Sequence, residues 1–61
     1  MVTLNIKSLI NYETIEQTLK ISNRKLAEVL ADNYYECDDV YAVEIASADT
    51  GELLYYKSKG I

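Results

Sequence analysis

One stretch of this sequence has the clearest spacing of an amphipathic helix, and segments that alternate like strands lie on both sides of it. Its apolar residues would form a single stripe facing a core: Leu26, Val29, Leu30 and Tyr34. Ser22 or Asn23 is a suitable N-cap. The helix should end near Glu36, because Asp38 and Asp39 follow and aspartate is a poor helix former. A lone helix needs another surface to cover its stripe, so the flanking segments must supply a sheet.

Period-two alternation rich in β-branched residues predicts those strands. Residues 2–7, 40–47 and 52–58 show this pattern. Residues 8–22 are compatible with either a helix or a strand, and their β-branched residues favour a strand over 13–21. The predicted fold is α+β: an antiparallel sheet of three to four strands with one helix packed on one face, in the order β(β)αββ. Residues 1–61 would form a single domain.

The last two strands are predicted to form a hairpin. Asp49, Thr50 and Gly51 would make its loop, because aspartate favours turn entry and glycine tolerates the left-handed conformation. In this register three pairs face each other: Ala48 with Glu52, Ile45 with Tyr55, and Glu44 with Tyr56. One sheet face would meet the helix: Tyr41, Val43, Ile45, Leu53 and Tyr55. The other would face outward: Ala42, Ala46, Leu54 and Tyr56.

Missing residue types argue against catalysis and against a metal or cofactor site. The chain has no histidine and one cysteine, so neither a histidine-based catalytic triad nor an ordinary zinc site can form within it. Its two glycines, Gly51 and Gly60, are too far apart for a phosphate-binding loop. A chain of 61 residues buries only about 60% of its unfolded surface, which leaves little room for a water-excluded pocket. We therefore expect no enzyme activity, no cofactor and no metal.

Acidic residues are concentrated in the second half of the chain. The net charge is −4, yet residues 26–56 contain eight acids and no base. Such a block repels nucleic acid phosphates, so direct nucleic acid binding is not expected. It would instead attract a protein partner with a basic surface.

The acids of the predicted helix repeat every four residues and would line its exposed face. This stripe should continue beyond the helix as one acidic face, flanked by a tyrosine. The candidate protein-binding residues are Glu28, Asp32, Tyr35, Glu36, Asp38, Asp39 and Glu44. The same helix carries Arg24 and Lys25 at its start and acids at its end, opposite to what the macrodipole favours. A rule broken locally often marks a functional surface, although exposed charges on a solvated face would look the same.

The outward sheet face offers a second candidate surface, for self-association. Its four residues, Ala42, Ala46, Leu54 and Tyr56, are apolar for an exposed face, and a second copy of the chain could cover them. Cys37 is expected to be a small buried residue.

These features predict a non-catalytic protein-binding module. It would be a small inhibitor or regulator of a basic or nucleic-acid-handling protein, of the general kind that phages direct against host enzymes. The alternative is a self-associating assembly module, a homodimer built on the outer sheet face. One cysteine and no apolar run of about 20 residues suggest a cytoplasmic protein without a membrane span.

Overall fold

Four strands and one helix follow each other along the chain. The computed structural model describes residues 1–59 and contains five elements: β1 (Val2–Ile10), β2 (Glu13–Ile21), α1 (Arg24–Tyr35), β3 (Val40–Ser47) and β4 (Leu53–Ser58). The predicted α+β class and the ββαββ order are confirmed. The ambiguous segment 8–22 contains the end of β1, a two-residue turn and β2, which covers the residues 13–21 predicted to be a strand; β1 is longer than predicted.

All neighbouring strands pair antiparallel, in the spatial order β2-β1-β3-β4. β1 and β2 form a hairpin, α1 crosses one face of the sheet, and β3 returns alongside β1. We call the face that carries α1 the inner face. The opposite, outer face has no helix over it within residues 1–59.

The β1–β2 hairpin turns through a two-residue loop. Asn11 (φ 52°) and Tyr12 (φ 67°) both have positive φ angles, as a type I′ turn requires. Asparagine tolerates this conformation, whereas a tyrosine there is strained by its Cβ. Tyr12 is also fully exposed, with 100% of its surface accessible, so no packing compensates for the strain.

The core lies between the inner face and the helix. Its four largest fully buried side chains come from the two central strands: Leu4, Ile6, Val43 and Ile45. The helix contributes Ala27 and Ala31, both fully buried, and their small side chains let its backbone approach the sheet closely. The predicted stripe was therefore wrong in part. Leu30 and Tyr34 do pack against the core, but Leu26 and Val29 are 51% and 56% exposed.

Asn23 is the N-cap of α1. Its side-chain oxygen accepts hydrogen bonds from the backbone N–H groups of Lys25 (2.8 Å) and Leu26 (3.3 Å). The unfavourable charge order along the helix is offset by β4, which lies beside it. Arg24 donates to the carbonyl of Leu54 (3.3 Å), and Lys59 donates to the carbonyl of Cys37 just past the helix end (2.9 Å). The chain at the end of β4 thus provides the cation that the last helical turn lacks.

Two register shifts change which residues face outward. The β3–β4 ladder keeps the predicted pairs Ile45–Tyr55 and Glu44–Tyr56, but then Ala46 pairs with Leu53. The predicted outward position of Leu54 is therefore wrong: Leu54 packs against the core, and Leu53 is exposed opposite Ala46.

The other shift lies between Lys7 and Ser8 of β1, opposite Tyr41. Tyr41 was expected to meet the helix, but it lines an outer-face depression. The β3–β4 loop also differs from the predicted three residues. Ser47 N–H donates to the carbonyl of Glu52 (2.8 Å), and Ala48 N–H donates to the carbonyl of Met1 (3.1 Å) rather than pairing with Glu52.

One helix is too small for this sheet. A helix is about 10 Å wide, whereas four strands at their usual spacing span about 19 Å. The 9 residues of each hairpin strand extend about 30 Å, and the 12 residues of α1 only about 18 Å. The helix sits mainly over β3 and β1. The inner face is therefore left open toward the hairpin tip, and Ile10 and Ile15 are exposed there.

Tyr12→Gly should stabilise the protein by about 0.5–1 kcal/mol, because glycine adopts a positive φ without the Cβ clash. The measurement is the urea midpoint at an unchanged m-value. Gly51→Ala is the reciprocal control. Gly51 has φ 77° and open space around its Cα, so its alanine variant should lose stability through the backbone alone. A lower midpoint for Tyr12→Gly would contradict the assigned strain.

Candidate protein-interaction site

The first two acids of the predicted stripe are neutralised within the fold. Arg24 Nε lies 3.4 Å from Glu28 Oε2, and Lys57 Nζ lies 3.7 Å from Asp32 Oδ1. The Tyr55 hydroxyl also donates to Asp32 Oδ1 at 2.9 Å. These residues form the seam between α1 and β4. Their first role is to hold helix and strand together, with weak energies because the ion pairs are exposed.

The surroundings of Tyr55 in this seam shift the pKa of its hydroxyl. The hydrogen bond to Asp32 raises the pKa of its hydroxyl above 10.0, and partial burial and the carboxylates of Asp32 and Glu28 act in the same direction. Ionising Tyr55 would place a phenolate against a carboxylate and remove the donated hydrogen.

Tyr35 is covered by cations from β4 and the residue that follows it. Lys57 Nζ and Lys59 Nζ lie 4.8 Å and 5.0 Å from the centroid of its ring. Sequence analysis predicted that Tyr35 flanks an acidic stripe. In the structure its ring instead lies under two lysine side chains. Tyr35 and the lysines therefore belong to the same helix–strand seam as Asp32.

The acids that follow the helix are different. Glu36, Asp38 and Asp39 are exposed, and none of them forms an ion pair within residues 1–59. We call these three residues the acidic turn. They lie at the negative end of the helix dipole, which adds to their field. The Leu9 N–H donates to the carbonyl of Asp39 at 2.8 Å, which fixes the acidic turn beside the end of β1.

Glu44 does not belong to this acidic surface. It pairs with Asn5 on one side and Tyr56 on the other, between the buried inner-face residues Val43 and Ile45. Alternation along the strand therefore puts Glu44 on the outer face, across the sheet from the helix. The predicted continuous acidic face from Glu28 to Glu44 is wrong at this last residue.

The outer face has an apolar end. An open depression of about 250 Å³ is lined by five residues: Leu9, Thr14, Tyr41, Tyr56 and Ser58. Tyr56 is 54% exposed and Leu53 is 55% exposed, whereas Ala42 is buried beneath its neighbours and Ala46 is half-buried. The strand ends that form the depression are those next to the acidic turn. Apolar and acidic surface therefore meet at one end of the sheet.

Little else in the described part of the chain resembles a chemical site. No group of three or more His, Cys, Asp or Glu residues is placed to hold a metal ion within residues 1–59. Cys37 is exposed, which contradicts the predicted burial, because the chain leaves the helix there instead of packing back onto the sheet. The side-chain oxygen of Asn5 is buried on the outer face without a hydrogen-bond partner. This lowers the stability of the fold, and the structure shows no function for it.

Comparison with protein-family models, curated proteins and solved structures finds no match for this chain. Among residues 1–59, no helix has the length and apolar character that crossing a bilayer requires. The geometry of the chain's own residues is therefore the basis for inferring its function.

Sequence reasoning missed the contribution of the hairpin tip. Leu9 is the exposed residue that brings apolar surface to the acidic turn, and Tyr12 is fully exposed at the tip. Asn11 was the available signal, since asparagine between two alternating segments favours a tight hairpin.

Titration of tyrosine absorbance at alkaline pH should show a late phase from Tyr55, because its pKa is raised above 10.0, and Tyr55→Phe should remove that phase. Asp32→Asn keeps the phenol but removes the carboxylate, so the phase should move to lower pH. An unchanged titration curve in both variants would contradict the Tyr55–Asp32 bond.

The same bond predicts the sign of a pH effect on stability. Because the pKa of Tyr55 is raised by folding, its contribution is complete below pH 10.0 and is lost as the pH rises through the folded-state pKa. Tyr55→Phe should lower the free energy of unfolding at pH 7 by about 0.5–1 kcal/mol, as measured by urea denaturation. Relative to the wild type, this deficit should shrink at pH values above the folded-state pKa.

Proposed function

We propose that this protein is a non-catalytic protein-binding module whose acidic turn engages a basic surface of its partner. The observation that carries the proposal is the contrast among the acids. Glu28 and Asp32 are matched by cations of the fold, whereas Glu36, Asp38 and Asp39 are exposed without such partners in the described residues. Three such carboxylates near a helix C-terminus gain nothing from the fold, so an external cation is the partner that they suit.

Apolar surface beside the acidic turn supports a protein partner over a simple counter-ion. Leu9 is 47% exposed and is bonded through its backbone to Asp39, and Tyr56 and Tyr41 lie in the adjoining depression. Tyrosines with apolar neighbours inside a charged rim are typical of protein interfaces. The proposed partner surface carries lysine or arginine around an apolar residue.

The proposed class of partner is a nucleic-acid-handling protein. Such proteins carry clustered lysine and arginine that contact phosphates. The carboxylates of the acidic turn can bind to these side chains in place of the phosphates. Such binding would make this chain an inhibitor or regulator, as phage-type inhibitors of host enzymes are. An exposed free thiol at Cys37 suits a reducing compartment such as the cytoplasm.

Self-association through the outer face is the second candidate function. The observation that favours it is the exposure of Leu53 and Tyr56 on a face without a covering element in residues 1–59. The register shift in β4 replaces Leu54 by Leu53 in this surface, opposite Ala46, whereas Ala42 is buried.

Asp38→Asn/Asp39→Asn should weaken capture of the partner strongly, because it removes two of the three carboxylates of the acidic turn. The experiment is capture from lysate of the source or host cell with the tagged protein, at about 50 mM and about 300 mM salt, quantified by mass spectrometry. The matched control is Asp49→Asn/Glu52→Gln, which changes the net charge equally at the opposite end of the sheet.

A stoichiometric partner that is lost at higher salt and with Asp38→Asn/Asp39→Asn, but retained by the control, would support the proposal. Equal loss with both double variants would indicate a non-specific effect of net charge and contradict it. Capture that neither variant changes would also contradict it.

A further inference from the structure

The two edges of the sheet are not equally protected. β2 is an edge strand of 9 residues without glycine or proline, and residues 13–18 are exposed throughout. β4, the other edge, has 6 residues, and Arg24 donates to its carbonyl at Leu54. Long, regular edge strands without such protection pair readily with another strand.

The structure identifies which backbone groups line the open edge of β2. Leu9 N–H donates to Asp39 and the Met1 carbonyl accepts from Ala48, so odd-numbered residues of β1 direct their backbone toward β3. Even-numbered residues of β1 therefore bond to β2, where the register makes their partners odd-numbered. The backbone N–H and C=O groups at the open edge are those of the even-numbered residues: Thr14, Glu16, Thr18 and Lys20.

We propose that β2 pairs antiparallel with β2 of a second copy of this chain, about a two-fold axis at Thr18, to give one continuous eight-stranded sheet. This inference does not depend on the acidic turn or on the proposed partner. Two-fold antiparallel pairing places residues of equal parity opposite each other, as the edge hydrogen bonds require. The register is then selected by charge.

Charge complementarity selects Thr18 as the centre. With the axis there, Glu16 lies opposite Lys20 of the second copy, and Lys20 lies opposite its Glu16. An axis at Glu16 or at Lys20 would put like charges face to face, and an axis at Gln17 would leave both charges opposite threonines. Glu16 already faces Lys7 of β1, so the dimer would extend a row of alternating charges on the outer face.

The inner face is complementary in the same register. Ile15 lies opposite Ile21 of the second copy, and Gln17 lies opposite its Leu19. Because opposite residues of an antiparallel pair share a face, both helices would lie on the same side of the sheet. The pairing would cover part of the inner face of β2, where Ile15 is 46% exposed because α1 lies mainly over β3 and β1.

Charge reversal tests both the dimer and its register. Lys20→Glu places its new carboxylate opposite Glu16 of the other copy, at two positions related by the axis, and Glu16→Lys creates the equivalent lysine pairs. Each single variant should raise the dimer dissociation constant about tenfold or more, since a favourable pair becomes repulsive at two positions. Sedimentation from about 10 µM to about 1 mM provides the constant.

Two combinations of these variants should restore the dimer. The double variant Glu16→Lys/Lys20→Glu again pairs opposite charges, so its dissociation constant should return to near that of the wild type. An equimolar mixture of the two single variants should form a heterodimer, visible by native mass spectrometry. Thermal unfolding of each variant is measured alongside, because Glu16→Lys also places a like charge opposite Lys7.

Proline at the axis tests the backbone pairing without relying on charge. Thr18→Pro removes an N–H that faces the open edge and not β1, so the fold should survive while dimerisation is lost. Thr18→Val keeps the N–H and should dimerise. A monomer throughout the concentration range would overturn the proposal. So would a dimer that is insensitive to the β2 variants but lost with Leu53→Glu, which would place the contact on the outer face. Failure of the charge swap to restore association would overturn the register.

Discussion

The fold depends on one geometric mismatch, a single helix of 12 residues against a sheet of four strands. The helix can press on only about two strands. Alanine at positions 27 and 31 lets the helix approach closely enough to cover the two central strands, β1 and β3. The core is therefore small, but its central side chains are fully buried. The helix does not cover the two edge strands, β2 and β4. On the β4 side, long side chains connect the strand to the helix. On the β2 side no such bridge exists among the described residues, and the margin stays available to other molecules.

Local periodicity was sufficient for the order of the elements and most of their bounds, because the alternation of apolar residues reports directly on a half-buried strand; the last residues of β1 were missed. It was insufficient where an extra residue enters a strand. Leu54 and Tyr41 were each assigned to the wrong face, since register shifts in the ladder invert alternation without any mark in composition. The helix stripe failed for a different reason. Leu26 and Val29 are more hydrophobic than Ala27 and Ala31, but close packing selects the small residues for the contact.

The acidic surface was predictable only in part for a related reason. Counting charges along the chain showed an excess of acids but not which of them have partners. Asp32 is matched by Lys57 and Tyr55, which are distant in sequence, so only the tertiary structure separates it from Asp38 and Asp39. The cation at the start of the helix has the same explanation. Arg24 donates to the Leu54 carbonyl of β4, so this half of the reversed charge order is structural, whereas the acids at the other end of the helix have no ion-pair partner among the described residues.

The position of β1 in the sheet has a consequence for biosynthesis. β1 precedes every other element in the chain but lies inside the sheet, between β2 and β3. During translation the hairpin is complete well before β3 emerges, an interval on the order of seconds at usual elongation rates. Throughout that interval the nascent hairpin has two open edges, and at its start there is no helix against its apolar side. Lys7, near the middle of β1, places a charge on the edge that β3 later covers, where two nascent hairpins would otherwise pair, so it helps to protect the chain before its core exists.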